Sequence, residues 1–543
     1  MTEYNDVQIN IEPVGPGPEV IDEVSQALAE HPSVQEHLTE IRSRLLSIEL
    51  LDPVGAGRAD GLEPDRYLAT YFDYDNNQVK LVTGRLDDIQ GSVEVSDSIQ
   101  QPLPTREEFE EAVDILREDP DIGPALSEQR VKPQRAMPPL LTEATRPDGL
   151  IDRTLSVLLL SRSDEARNEI VGVNMIDRTV LRFPERAPSR ALAADAACGV
   201  DDAEQIPTPR GLPGQFQVTI PQADGSPLWS FLVFRPSFSL GTNGSGVTLR
   251  DVFYRGKLVL KRAHVPILNV RYDGPGLGFC GPFRDWLYEE NWFQADGTDV
   301  AQGIRQCNTR PQTILESGTD MGNFQGVAIY RQGQEVVIVS ELEAGMYRYV
   351  SKWCLYDDGT ISPRFGFSAI ENPCVCHTHH HHAYWRFDFD IGTAGNNVVS
   401  EFNSPPLPNS SSNWHTNRFE VMRPRNHDLS RRWKIENSTT GDAYTLIPGE
   451  NDGVADAFAR GDVWILRSHG ERDEIDDGIS AEPSQANQRQ PNAPAEIGRF
   501  INAESTDNQN VVIWYAAHFT HEVHAESGEI GHYVGPDLKP VQW

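Results

Sequence analysis

Positive charge is scarce in this sequence. Only 47 Lys and Arg stand against 81 Asp and Glu, a net charge of −34 over 543 residues. Phosphate backbones reward clustered Lys and Arg, so the balance argues against a nucleic-acid partner. Acidity of this kind serves solubility and, through the overall field, favours cationic ligands. No run approaches the roughly 18 apolar residues of a membrane helix, so no membrane partner is expected. The N-terminus, MTEYNDVQIN, lacks a basic region followed by an apolar stretch. No secretory leader is read there, and a cytoplasmic location is the expectation. Cysteine is also sparse: Cys198, Cys280, Cys307, Cys354, Cys374 and Cys376 are too few for a disulfide scaffold. Cys280 and Cys307 are candidates to pair. Cys374-Val-Cys376 is either a soft metal site or two thiols, and its spacing fits neither a zinc ribbon nor thioredoxin chemistry. No Gly-rich phosphate loop joins a strand to a helix, so nucleotide binding has no support.

What is present suggests a modular chain. Residues 1–18, with their Pro and Gly, are expected to be a disordered tail. Residues 19–97 combine helical periodicity (Val20, Val24, Leu28; Val34, Leu38, Ile41, Leu45) with a hairpin, RYLATYFDY and QVKLVTGRL, turning at Asn76-Asn77. Residues 98–195 open on Thr105 and Glu108, a capping box, with a helix stopping near Asp119-Pro120 and strands LSVLLLSR, EIVGVNMI and TVLRFP after it. Residues 196–214 are expected to be a linker. From 215 to 543 short alternating runs such as QFQVTI, EVVIVSEL, YRYVSKWCLY and NVVIWYAAHF dominate. The expected fold class is α+β: two small α+β domains before a large antiparallel β-sandwich.

Residues 377–382 read His-Thr-His-His-His-His, five imidazoles in six positions. Such density invites a metal. On a strand alternate residues share a face, so His379 and His381, with His377, point one way and His380 and His382 the other. Neutral imidazole suits Cu(II), Zn or Ni.

The flanks of this segment, HHHHAYWRFDFDIGTAGNNVVSEFN, resemble the metal strand of the copper amine oxidases: His-x-His, then an Arg five residues on, then an Asp-x-Asp pair. NVVIWYAAHFTHEVHAE resembles the family's C-terminal Thr-His segment, and LRDVFYRGKLVLKRA its entry into the catalytic sandwich. The resemblance implies a copper ion on His379, His381 and His521, with His518 and His524 as competitors for the third place. It implies that Tyr347 is the precursor of topaquinone, with Tyr272 hydrogen-bonded to that cofactor. It also implies a peripheral calcium site at Asp388, the Phe389 carbonyl, Asp390, Asn510 and the Val511 carbonyl, and a homodimer. The activity would be oxidation of a primary amine by O2 to an aldehyde, with H2O2 and ammonia.

The chain departs from the family in two places. Its Thr-x-x-Asn-Tyr-acid motif becomes Glu343-Ala-Gly-Met346-Tyr347-Arg348. The family's catalytic Asp, about fourteen residues after the active-site Tyr, has no ungapped counterpart. The count lands near Tyr288, with Asp285, Glu289 and Glu290 in reach, and Glu289 is the expected base. Two further readings stay open: a copper enzyme with unmodified Tyr347 doing other O2 chemistry in a biosynthetic pathway, and an inactive descendant.

Overall fold

The computed structural model describes residues 9–38, 42–51, 64–98, 101–141, 152–162, 168–182, 198–208, 211–239, 245–272, 283–284, 289–372, 375–376, 379–455, 460–469, 474, 497–498, 500–521 and 533–543. Four sheets organise them. Two large sheets, of ten and twelve strands, face each other across one apolar core, and two four-stranded sheets lie earlier in the chain. This is the α+β class expected from the sequence.

Local chemistry explains the first half. Thr105 caps the helix Arg106–Glu118 reciprocally with Glu108, and Asp119 ends it. Glu108 is also buried and takes a bidentate pair from Arg153, with both contacts at 2.6 Å, plus the Tyr74 hydroxyl at 2.5 Å. A fully buried charge is tolerable only when paired in this way. The pair joins the hairpin of the first small sheet to the second, and Phe72, Val79, Leu116 and Val157 share one cluster there. The hairpin itself forms as Arg66–Asp73 and Gln78–Arg85, with Asn77 at φ 52° in the turn.

Four readings need correction. Residues 10–14 are not tail: Asn10–Val14 pairs antiparallel with Gln215–Pro221 at the edge of the ten-stranded sheet. Leu45 is not helical: the helix Pro32–Leu38 is followed by the strand Ser43–Leu51, and short apolar runs fit either period. The segment after residue 196 is not a free linker. Val200 forms a bridge with Ile370, and Cys198 is bonded to Cys376. Cys307 is therefore not half of a pair with Cys280; it is a buried free thiol, while Cys280 and Cys374 lie outside the described residues. Burial pushes the Cys307 thiol up to about 12, away from reactivity.

Candidate metal centre

The His379–Phe389 strand runs in the middle of the ten-stranded sheet between Lys257–Tyr272 and Val511–His521. Its registers bring the expected residues together: His379 lies opposite Tyr272 on one side and opposite His521 on the other. Directly opposed residues on antiparallel strands share a face. His379, His381 and His521 therefore project toward the inner core. The side chains of His379 and Tyr272 lie outside the described ones, so their placement rests on this register.

The opposite wall is the Tyr347–Tyr356 strand of the other large sheet. A two-residue turn at Gly345 (φ 57°) and Met346 pairs Ala344 with Tyr347 and starts the strand there. Tyr347 is fully buried, and its ring meets His381 edge-on, with centroids 4.7 Å apart at 87°. The ring of His521 lies 6.4 Å from it. Phe367, from the neighbouring strand Ile361–Ala369, stacks on His381 at 3.8 Å.

Sequence reasoning missed Tyr349. Its hydroxyl lies 3.2 Å from His381 Nδ1. A ligating imidazole commonly engages a polar partner through its other nitrogen, which fixes the ring and leaves Nε2 for a metal. The signal was there: Tyr349 is two residues from Tyr347 and shares its face by strand alternation.

The donor set fits copper in the respects that can be tested. Burial pushes His521 down to about 4, so it is a neutral imidazole at neutral pH, the form that binds metal. The rings of His381 and His521 have centroids 6.4 Å apart, a separation that a shared metal with nitrogen bonds of about 2.0–2.1 Å can span. Among the described side chains, no group of three or more His, Cys, Asp or Glu is arranged to hold a metal. His518 is removed as a competitor because it faces the outer side of the sheet, opposite His382. His524 lies outside the described residues.

Glu289 does not fit the role of base. It pairs with Glu343 across the ladder, and Glu343 pairs with Arg348, so both side chains occupy the face opposite to Ala344 and Tyr347. An ungapped count cannot see that change of face. Glu289 is buried and held by Arg135 at 2.6 Å. Glu290 is likewise claimed by Arg235, with one contact at 2.8 Å. Asp285 and Tyr288 lie outside the described residues. Arg348, which stands where the family has an acid, is buried and bidentate to Asp320 at 2.8 and 3.0 Å, with Glu343 at 3.6 Å. Burial pushes Glu343 above the usual carboxylate range against the pull of Arg348 and Arg135.

The expected calcium residues do meet. Phe389 lies opposite Val511, and Asp388 and Asp390 are both nearly inaccessible. Burial, then repulsion from Asp388, pushes Asp390 up to about 7. Oδ1 of Asp390 and Oδ1 of Asn510 are buried with no hydrogen-bond partner among the described residues. The Phe389 carbonyl takes one bond, at 3.3 Å from Asn397, and keeps a second lone pair. Hard oxygen atoms left open in this way suit Ca2+.

No protein-family model matches the sequence, and no curated protein matches it. Solved structures do. A copper-containing benzylamine oxidase from Hansenula polymorpha aligns at TM-score 0.62 and 14% identity, over 97% of this chain and 97% of that one. A lysyl oxidase from Pichia pastoris aligns at 0.56 and 12%, over 98% and 91%. An amine oxidase from Aspergillus nidulans aligns at 0.54 and 11%, over 97% and 88%. The chain has the fold of these proteins.

Proposed function

We propose that the protein is a copper-dependent oxidase of primary amines that uses a topaquinone made from Tyr347. The observation that carries this reading is the burial of the Tyr347 ring 4.7 Å from that of His381, with His521 on its other flank. An ordinary core tyrosine has no need of two imidazoles at its edge. His379, His381 and His521 would hold the copper, and Tyr349 would orient His381. When bound, copper with O2 supplies the oxidation of Tyr347 and the later reoxidation of the cofactor. Over one turnover an amine, O2 and water become an aldehyde, ammonia and H2O2. The closed apolar wall of Phe367 and Phe519 keeps bulk water from the ring. Tyr272, whose backbone faces His379, would hydrogen-bond the cofactor. The α-proton needs a carboxylate. With Glu289 and Glu290 paired to arginines, Asp285 is the candidate that remains. Asp388, Asp390 and Asn510, with the Phe389 and Val511 carbonyls, would hold calcium.

A homodimer is part of the proposal by likeness of fold. The Cys198–Cys376 bond is of a kind that persists in oxidising compartments, which weighs against the cytoplasmic location expected from the N-terminus.

One observation favours a second reading, a copper oxidase with unmodified Tyr347. Met346 is buried where the family has a hydrogen-bonding Asn, so the ring loses that guide. Adding Cu(II) in air to the metal-free protein, with and without phenylhydrazine, separates the two. A visible quinone band that shifts with the hydrazine supports the first. Bound copper with no such band supports the second.

A further inference from the structure

The inner face accounts for His379 and His381, but the same strand turns His380 and His382 outward. There His382 lies directly opposite His518, and both are buried. Their Nδ1 atoms are 2.9 Å apart. The other nitrogen of His518 faces two acceptors, Asp462 Oδ1 at 2.9 Å and the Gly461 carbonyl at 3.2 Å. Asp462 stays a carboxylate: burial pushes it up, but the His518 hydrogen bond and the Arg425 charge outweigh that. Arg425 donates its backbone N–H to Asp462 Oδ2 at 2.7 Å. Two acceptors at Nε2 require the proton there. In neutral His518 the Nδ1 lone pair is then fixed, and it is aimed at His382 Nδ1.

We propose that this outer-face pair is a second metal site, separate from the inner one, for a borderline divalent cation with a preference for cis nitrogen ligands. His382 Nδ1 and His518 Nδ1 would be its ligands, with water completing the shell. Asp462 would be the carboxylate that fixes the tautomer of a ligating histidine, the usual outer partner of such sites. The separation selects the geometry. Two nitrogens bonded at about 2.0–2.1 Å lie about 2.9 Å apart at a right angle and about 3.4 Å apart in a tetrahedron. The observed 2.9 Å matches the right angle, and hence square-planar Cu(II) or Ni(II) over Zn2+. Half-buried His380, whose Nδ1 meets the Thr520 hydroxyl at 3.2 Å, lies two residues along the same face toward the less buried end of the strand, the side from which an ion would enter.

The site does not depend on the proposed amine oxidation. Its test is the metal content of the full-length protein, stripped with chelator, reloaded with excess Cu(II), desalted and analysed for copper per chain. Two copper ions per chain are expected in the parent. His382→Leu and His518→Leu should each hold one, with the inner ion's paramagnetic spectrum intact. His521→Ala should also lose one, but the other one. Circular dichroism identifies a variant that fails to fold, and Asp462→Asn gives a variant that keeps both ligands. It should weaken the outer ion about 10- to 100-fold, the usual cost of losing such a partner. One copper per chain in the parent, lost with His521, would mean that His382 and His518 form a hydrogen-bonded pair only. Two coppers surviving His382→Leu and His518→Leu would place the second ion elsewhere. Either result overturns the proposal.

Discussion

Replacing Tyr349 with Phe isolates one atom of the inner centre. The hydroxyl lies 3.2 Å from His381 Nδ1, while the stack on Phe367, with centroids 3.8 Å apart at 21°, holds the ring independently. The variant keeps the stack, the aromatic volume and the burial, and loses only the polar contact. A neutral hydrogen bond contributes about 0.5–1.5 kcal/mol net. Loss of an outer partner costs a metal site about 10- to 100-fold in affinity. Because the stack persists, the expected effect is at the lower end, about tenfold, or about 1.4 kcal/mol. Competition of Cu(II) against a chelator of known affinity measures this directly. Metal-free thermal unfolding, run beside it, should move by no more than the hydrogen bond itself. Copper affinity within twofold of the parent would refute the reasoning, since His381 would then need no hydroxyl to be placed.

Three other perturbations follow from the structure. Arg348→Met strands Asp320 and Glu343 in the interior and should cost about 3–5 kcal/mol in urea unfolding, whereas an exposed ion pair would cost under about 1 kcal/mol. Burial pushes Glu341 up to about 8, so it is a neutral acid in the fold. For a raised pKa the stabilisation is full below the ordinary carboxylate range and is lost as pH rises through about 8; Glu341→Gln should therefore abolish a fall of a few kcal/mol between pH 5 and 9, read from urea midpoints. Asp285→Asn should abolish turnover while Glu289→Gln, which breaks only the Arg135 pair, should leave kcat within about tenfold; the reverse pattern in steady-state kinetics would return the base to Glu289.

Much of this architecture is legible from periodicity and punctuation. Alternation along the histidine run assigns His379 and His381 to one face and His380 and His382 to the other before any coordinate is seen, and the registers agree. The Thr105–Glu108 box and the Asn77 turn are local chemistry, and local chemistry is written in the sequence. What escaped is non-local. Cys198 and Cys376 are 178 residues apart, and nothing in spacing says that they meet. Asn10–Val14 looks like tail because an edge strand with polar residues carries little apolar signal until its partner is known. Glu289 is near the right place in sequence but on the wrong face, a distinction that exists only once Glu343 is its neighbour.

The central claim is that Tyr347 becomes a quinone, and the mass of the tryptic peptide containing it tests that most directly. The protein is expressed without metal, incubated with Cu(II) in air and digested beside a sample kept anaerobic. The account predicts added oxygen on Tyr347 in the aerobic sample alone, and none in His521→Ala. An unmodified Tyr347 in protein that has bound copper at the inner site would contradict it.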